Sequence, residues 1–229
     1  MQLKQKDLLG ISEISAEEIN LILDTAATMK MVLSSRSKKT AHLTGLSVIT
    51  LFYENSTRTR LSFEMASKFM GASSANIAAS GSSIQKGESL MDTVRTVDAM
   101  ATDILIMRHP QSGAPHMIAP HLKASVINAG DGMNEHPTQA LLDAFTMREK
   151  LGSLNGLEVA VVGDIYHSRV ARSNIYCLTK MGARVRLAGP PTMIPPDIHK
   201  TGAILYPTVR EAATGADVIM ALRVQLERQ

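Results

Sequence analysis

Residues 46–64 read LSVITLFYENSTRTRLSFE. The opening apolar run has the length of a strand, whereas Leu61, Met65 and Phe69 recur four apart on one helical face. Ser56-Thr57-Arg58-Thr59-Arg60 lies between the two patterns, so the spacing predicts strand, tight polar loop, helix. A helix start leaves backbone N–H groups without intrahelical acceptors, its dipole favours an anion, and hydroxyl and guanidinium groups add charge-assisted donors. The loop is therefore a candidate phosphate cradle. A solvated helix N-terminus with a capping hydroxyl would use the same residue types. A Walker loop is excluded because Gly-Lys-Ser/Thr is missing.

The same alternation extends in both directions. Ser15 and Glu18 have capping-box spacing ahead of Ile19, Ile22, Leu23, Ala26 and Met29, which predicts a first helix. Strands are expected at 46–52, weakly at 73–80, and at 103–108 and 125–129; helices are expected at 58–70, 89–101 and 136–151, with Pro137 in a first turn. After a turn-rich break at 152–156 a second series follows. It comprises a strand at 157–163, a helix at 168–181, a strand at 183–189, a proline-rich loop at 190–196, a strand at 203–206, a helix at 208–214 and a strand at 217–222. The expected fold class is α/β with two domains, 1–150 and 151–229, each a central parallel β-sheet flanked by helices.

Composition narrows the function. At 229 residues, 45% apolar and 20% charged, the chain can bury a core and has an ordinary soluble make-up. Aromatic content of 3% with no Trp offers little for base stacking, which argues against nucleic acid. The net charge of +3 comes from scattered basic residues and fits small anionic ligands or a mixed solvated surface. Cys177 is the single cysteine and reads as a helical core residue, without a disulfide or metal partner. MQLKQKDLLG lacks a signal-peptide apolar segment and no run reaches membrane-span length, so no membrane partner is expected and the cytoplasm is the expected compartment. His109, His116, His121 and His167 show no ligand spacing, and no metal is expected.

In parallel sheets ligands bind beyond the carboxyl ends of the strands. The polar residues there are Ser56 to Thr59, Arg108, Asn128 with the later His136, Asp164 to Arg169, and Arg223. Arg58, Arg108, Arg169 and Arg223 facing one inter-domain cleft would hold substrates rich in phosphate and carboxylate oxygens. VVGDIYHSR after a strand is a weak dinucleotide signal, since G-x-G-x-x-G is absent.

Six segments then match a known pattern in order and at fitting distances: FYENSTRTRLSFE, SSIQKGES, MRHPQSGAPH, NAGDGMNEHPTQALLD, VVGDIYHSRVARSN and LRVQLERQ. From about Leu8 onward the chain resembles the catalytic chains of the aspartate carbamoyltransferases. S-T-R-T-R and H-P-T-Q resemble carbamoyltransferases in general, while Q-K-G-E, H-S-R-V-A-R-S and R-V-Q-x-E-R resemble the aspartate-specific branch. The resemblance implies transfer of a carbamoyl group from carbamoyl phosphate to L-aspartate in pyrimidine biosynthesis, without a cofactor. It places Ser56, Thr57, Arg58, Thr59, Arg108, His136 and Gln139 at carbamoyl phosphate and Lys86, Arg169, Arg223 and Gln225 at aspartate. Arg58, Thr59, Lys86, Arg108 and His136 become the catalytic set. Ser82 and Lys86 correspond to loop residues that enter a neighbouring subunit's site, which implies a homotrimer; regulatory or dihydroorotase-like chains as further partners stay open.

Chains of this family continue past LRVQLERQ with further strands and helices. The resemblance thus implies a C-terminally truncated chain of lowered or absent activity, with Arg223 and Gln225 on a frayed end. Two other readings stay open: a carbamoyltransferase with another acceptor such as ornithine, against which Arg169 and Arg223 argue, and a non-catalytic phosphate-binding scaffold subunit.

Overall fold

The computed structural model describes residues 2–78 and 87–224. Ser82, Lys86 and Gln225 lie outside the described residues. Contacts gather the chain into two units: residues up to Leu9 with Asp24–Gly132, and Gly10–Leu23 with the chain from Met133 onward.

The first unit contains β1 (Ser47–Phe52), β2 (Ser73–Ala78), β3 (Ile104–His109) and β4 (Ser125–Asp131), all parallel in the order β2-β1-β3-β4. Register sets Leu51 opposite Met107 and Phe52 opposite Arg108. Alternate side chains point to opposite faces of a strand. On one face Leu51, Leu105, Met107 and Val126 pack with Val94 and Val97 of α3 (Leu90–Ala99) and Ile118 of α4 (Ala114–Ile118). On the other, Val48, Phe52 and Ile106 pack with Phe63 of α2 (Thr57–Phe69). Covering both faces is what makes the strands read as nearly continuous apolar runs.

Two local expectations change. Leu61 and Met65 share a face of α2, but that face is 48% and 43% exposed; Phe63 and the buried Ser67 are the positions turned inward. Asn128 does not present itself to a ligand: it is fully buried, donating to Leu9 O and Asp131 Oδ1 and accepting the N–H of Gly130. The sequence pattern also passes over α4, whose five residues follow a left-handed Gly113 and include Pro115, too short a run for a helical period to show.

At the end of β3, His109 is buried, its ring 4.7 Å from that of Tyr53 and its Nδ1 accepting the N–H of Gln111 at 3.0 Å. Burial lowers its pKa from the ordinary 6.5. The N-terminal strip is fixed by Lys6, whose Nζ donates to Leu122 O and Ala124 O at 2.8 and 2.9 Å, so that Leu8 bridges to Ile127.

The second unit repeats the plan with β5 (Glu158–Val162), β6 (Arg184–Ala188), β7 (Ile204–Leu205) and β8 (Val218–Ala221), parallel in the order β7-β6-β5-β8. Val159, Val161, Val185 and Leu187 are buried, α6 (Arg169–Lys180) buries Ala171, Ile175, Cys177 and Leu178, and α5 (Pro137–Leu151) packs on α6. The first part of α1 (Ala16–Ser34) belongs here too. Its capping box is formed: Ser15 N–H donates to Glu18 Oε2 at 2.9 Å, and Glu18 N–H to Ser15 Oγ at 3.3 Å. The turn before it is held by Lys180, whose Nζ donates to the carbonyls of Ile11, Ser12 and Ile14 at 2.8, 2.8 and 2.7 Å.

Two outcomes follow from these contacts. Lys180→Met removes three charge-assisted bonds from one turn and is expected to cost about 2 kcal/mol, read by urea unfolding. His109 binds protons more weakly folded than unfolded, so stability present above about pH 6.5 declines as pH falls through that value towards its lowered folded pKa. In His109→Gln the decline of the unfolding midpoint between pH 7 and pH 5 is expected to be shallower (both pH values approximate).

Candidate active site

In a parallel sheet the ligand crevice opens where adjacent strands send their connections opposite ways. In the first unit that point lies between β1 and β3, because β2 is on one side of β1 and β3 on the other. The segment leaving β1 there is the S-T-R-T-R loop. Ser56 is the N-cap of α2 in extended conformation, with φ −156°, and its hydroxyl makes no capping bond. The first N–H groups of α2 have no acceptor within their own helix, the arrangement that receives an anion. Thr57 and Arg58 are exposed, and Thr59 is half-buried.

Arg108 is the neighbouring strand's contribution, on the α2 side of the sheet by its alternation with Ile106. Glu54, two residues past β1, receives its Nε–H at 2.9 Å, and Ala129 O lies 3.5 Å from one terminal nitrogen. The guanidinium is thereby oriented from the strand beside it. The structure thus brings Ser56, Thr57, Arg58, Thr59 and Arg108 to one end of one sheet; Glu54, which the sequence reading missed, fixes the last of them. A carboxylate directly between strand and cradle was the available signal.

His136 and Gln139 start α5 in the second unit. Pro137 takes the first helical position, where its missing N–H costs nothing. The His136 backbone N–H donates to Ser173 Oγ at 2.8 Å, and that hydroxyl donates to Glu135 Oε2 at 2.9 Å. Glu135 is 2% exposed and also accepts from Ile11 N, Ser12 N and Ser12 Oγ at 2.7, 3.2 and 2.6 Å. Gly10 is required beside it: an added Cβ would lie 2.5 Å from Glu135 Oε1. Gln139 Nε2 donates to Asp143 Oδ1 at 2.9 Å, and Asn174 Nδ2 donates to Asp143 Oδ2 at 2.8 Å. Burial raises the Asp143 carboxyl above its usual range, and the two amide bonds oppose that rise. Burial also pushes the Cys177 thiol up to about 12, so it stays protonated and serves as core.

The second sheet has its own reversal between β5 and β8. Gly163, with φ 119°, ends β5 so close to β8 that a Cβ would lie 2.5 Å from Leu222 O. Beyond it Asp164 is buried and accepts from the N–H and Nδ1 of His167 at 3.1 and 2.9 Å, closing the turn rather than facing a ligand. Ser168 caps α6 by accepting from Ala171 N at 3.1 Å, which leaves Arg169 at its first position, 2% exposed. Arg223 follows β8 and is exposed. Among the described residues no cluster of His, Cys, Asp and Glu is arranged to hold a metal ion, and no helix is long and apolar enough to cross a membrane.

Comparison with known proteins gives these positions a context. The family model described as aspartate/ornithine carbamoyltransferase, carbamoyl-P binding domain, matches residues 6–149. The aspartate carbamoyltransferase catalytic subunit of Ruminiclostridium cellulolyticum is 69% identical over 229 residues, covering 100% of this chain and 73% of that protein. Its counterpart in Acetivibrio thermocellus is 62% identical with the same coverage, 100% and 73%. Among solved structures, aspartate transcarbamoylase from Trypanosoma cruzi in complex with aspartate and phosphate superposes with a TM-score of 0.90 at 33% identity, over 99% of this chain and 78% of that one. The catalytic subunit of M. Jannaschii aspartate transcarbamoylase gives 0.87 at 36% identity, over 98% and 76%. Two thirds identity along the whole length leaves the paired sheets and their loop residues a single explanation: the chain belongs to the aspartate carbamoyltransferase catalytic subunit family.

Proposed function

We propose that this chain transfers the carbamoyl group of carbamoyl phosphate to the amine of L-aspartate, giving N-carbamoyl-L-aspartate and phosphate, a step of pyrimidine biosynthesis. The observation that carries the reading is the uncapped start of α2, with Arg58 in its first turn and an oriented Arg108 at the end of the neighbouring strand. Residues 1–150 take carbamoyl phosphate and 151–229 take aspartate, a division supported by a family model that ends at 149, although contacts group residues 10–23 and 133–150 with the second unit.

In the reaction the amine lone pair attacks the carbamoyl carbon, the bond from that carbon to the phosphate oxygen breaks, and the amine's proton leaves with the phosphate. Ser56, Thr57, Arg58 and the α2 N-terminus bind the leaving phosphate. Thr59, Arg108 and His136 donate to the carbonyl oxygen as it gains charge, where one donor is typically worth about 3–4 kcal/mol. Gln139 completes the hold on the carbamoyl group. Arg169, Arg223, Gln225 and Lys86 hold the two carboxylates of aspartate, a pairing suited to planar guanidinium forks.

The assembly proposed is a homotrimer in which Ser82 and Lys86 act in the adjacent subunit's site. The exposed apolar pair Leu61 and Met65 supports a subunit contact, since such a stripe gains from burial. The cytoplasm is the compartment proposed, in keeping with one buried, unpaired cysteine.

Parallel assays with L-aspartate and L-ornithine are expected to give ureido product with aspartate alone. Arg58→Ala is expected to lower kcat/KM for carbamoyl phosphate by roughly 100-fold or more, as loss of a charged donor to phosphate implies. Equal turnover of ornithine, or an unchanged Arg58→Ala enzyme, contradicts the assignment. Light scattering is expected to give three chain masses, and Leu61→Asp to reduce that mass to one chain.

A further inference from the structure

Gln139 occupies the third position of α5, from which a Gln side chain ordinarily reaches back to the N–H of the helix cap. That N–H, on His136, is already given to Ser173 Oγ. Gln139 turns the other way, four residues along its helix, and donates to Asp143 Oδ1 at 2.9 Å. An ionised carboxylate accepts and never donates, so Asp143 takes the NH2 end of the Gln139 amide. The side-chain carbonyl oxygen is left with no hydrogen-bond partner among the described residues, and it is absent from the buried atoms that lack one.

Asp143 is itself fixed from a second helix. Its Oδ2 accepts Asn174 Nδ2 at 2.8 Å, and the other hydrogen of that NH2 group goes to Val170 O at 3.1 Å. Both donors of Asn174 are therefore used, at the expense of its own Oδ1, which is buried without a partner among the described residues. Turning the Asn174 amide over would face its oxygen towards two acceptors, the Asp143 carboxylate and Val170 O, so Asn174 has one acceptable orientation. A buried acceptor left unmade costs about 1–3 kcal/mol, which marks the Asn174–Asp143 pairing as one that overrides a local loss.

We propose that Asp143, held by Asn174, is a positioning residue that locks the Gln139 amide with its oxygen towards the substrate, so that the site selects a donor phosphate bearing an NH2 group over one bearing a methyl group. The proposal rests on the assignment of Gln139 to the carbamoyl group made above. It gives Asn174, at the end of the HSRVARSN segment, a task distinct from that of Arg169.

The test is the binding of carbamoyl phosphate and of acetyl phosphate, in which a methyl group replaces the NH2, with inorganic phosphate as a third probe. Wild type is expected to favour carbamoyl over acetyl phosphate by about tenfold, the worth of one hydrogen bond. Gln139→Ala is expected to bring that ratio close to one, Asp143→Ala to lower it at least threefold, and the double variant to go no lower than Gln139→Ala. Affinity for inorganic phosphate is expected to stay within twofold in all variants, which a general loss of structure would not permit. Should Asp143→Ala fail to fold, Asp143→Asn keeps the shape while dividing acceptor and donor between its two amide partners, and a lowered ratio is again expected. A collapsed ratio in Gln139→Ala with a wild-type ratio in both Asp143 variants overturns the positioning role. A wild-type ratio in Gln139→Ala overturns the placement of Gln139 and the proposal with it.

Discussion

A carboxylate that water cannot reach has to find its donors inside the protein, and Glu135 is such a carboxylate. Among its donors are two backbone N–H groups and a hydroxyl from residues 11–12, and the Ser173 hydroxyl. Losing any one leaves a buried charge short of a partner, a larger penalty than the bond itself is worth. Glu135 therefore obliges the turn before α1, the start of α5 and the middle of α6 to be in place together. Lys180 acts on the same turn from its carbonyl side, so the turn gives the N–H groups of Ile11 and Ser12 to an anion and the carbonyls of Ile11, Ser12 and Ile14 to a cation. His136 gains its backbone position from this arrangement, since the hydroxyl it donates to is the one aimed at Glu135.

What could be read in the sequence was whatever repeats or is local. Apolar runs of strand length, the Ser15–Glu18 capping box and Pro137 at a first helical position all carry their meaning within a few residues, and the structure has them. The S-T-R-T-R loop was legible as the passage from a strand to a helix start for the same reason. Leu61 and Met65 show where period fails: four-residue spacing says that side chains share a face, but not whether that face turns inward. Glu54, Glu135, Ser173 and Asn174 were not legible as site residues because their partners are set by strand order and helix packing. Asp143 falls in between. Its four-residue distance from Gln139 is local, but the choice of Asp143 over the helix cap depends on Ser173, thirty-four residues beyond Gln139 in the chain.

The two sheets solve related problems with different means. In the first, the strand order opens a crevice beside an uncapped helix start, and the loop residues there are exposed or half-buried. In the second, Gly163 lets the ends of β5 and β8 approach closely, Ser168 caps the following helix, and Arg169 is buried at its first turn. An open helix start suits a phosphate, whose oxygens are compact and numerous. A buried guanidinium suits a planar carboxylate, which it meets with two parallel N–H bonds.

The Glu54–Arg108 pair has a consequence of its own. A guanidinium that already holds a carboxylate contributes little net charge, so it draws anions weakly from a distance and acts chiefly through direction. Arg58, exposed on the loop, keeps the long-range pull, which salt screens over about 8–10 Å. On the proposed assignment, capture and alignment fall to different arginines. Raising the ionic strength slows the arrival of an anion at this sheet end, yet leaves the orientation imposed by Arg108 almost as it was.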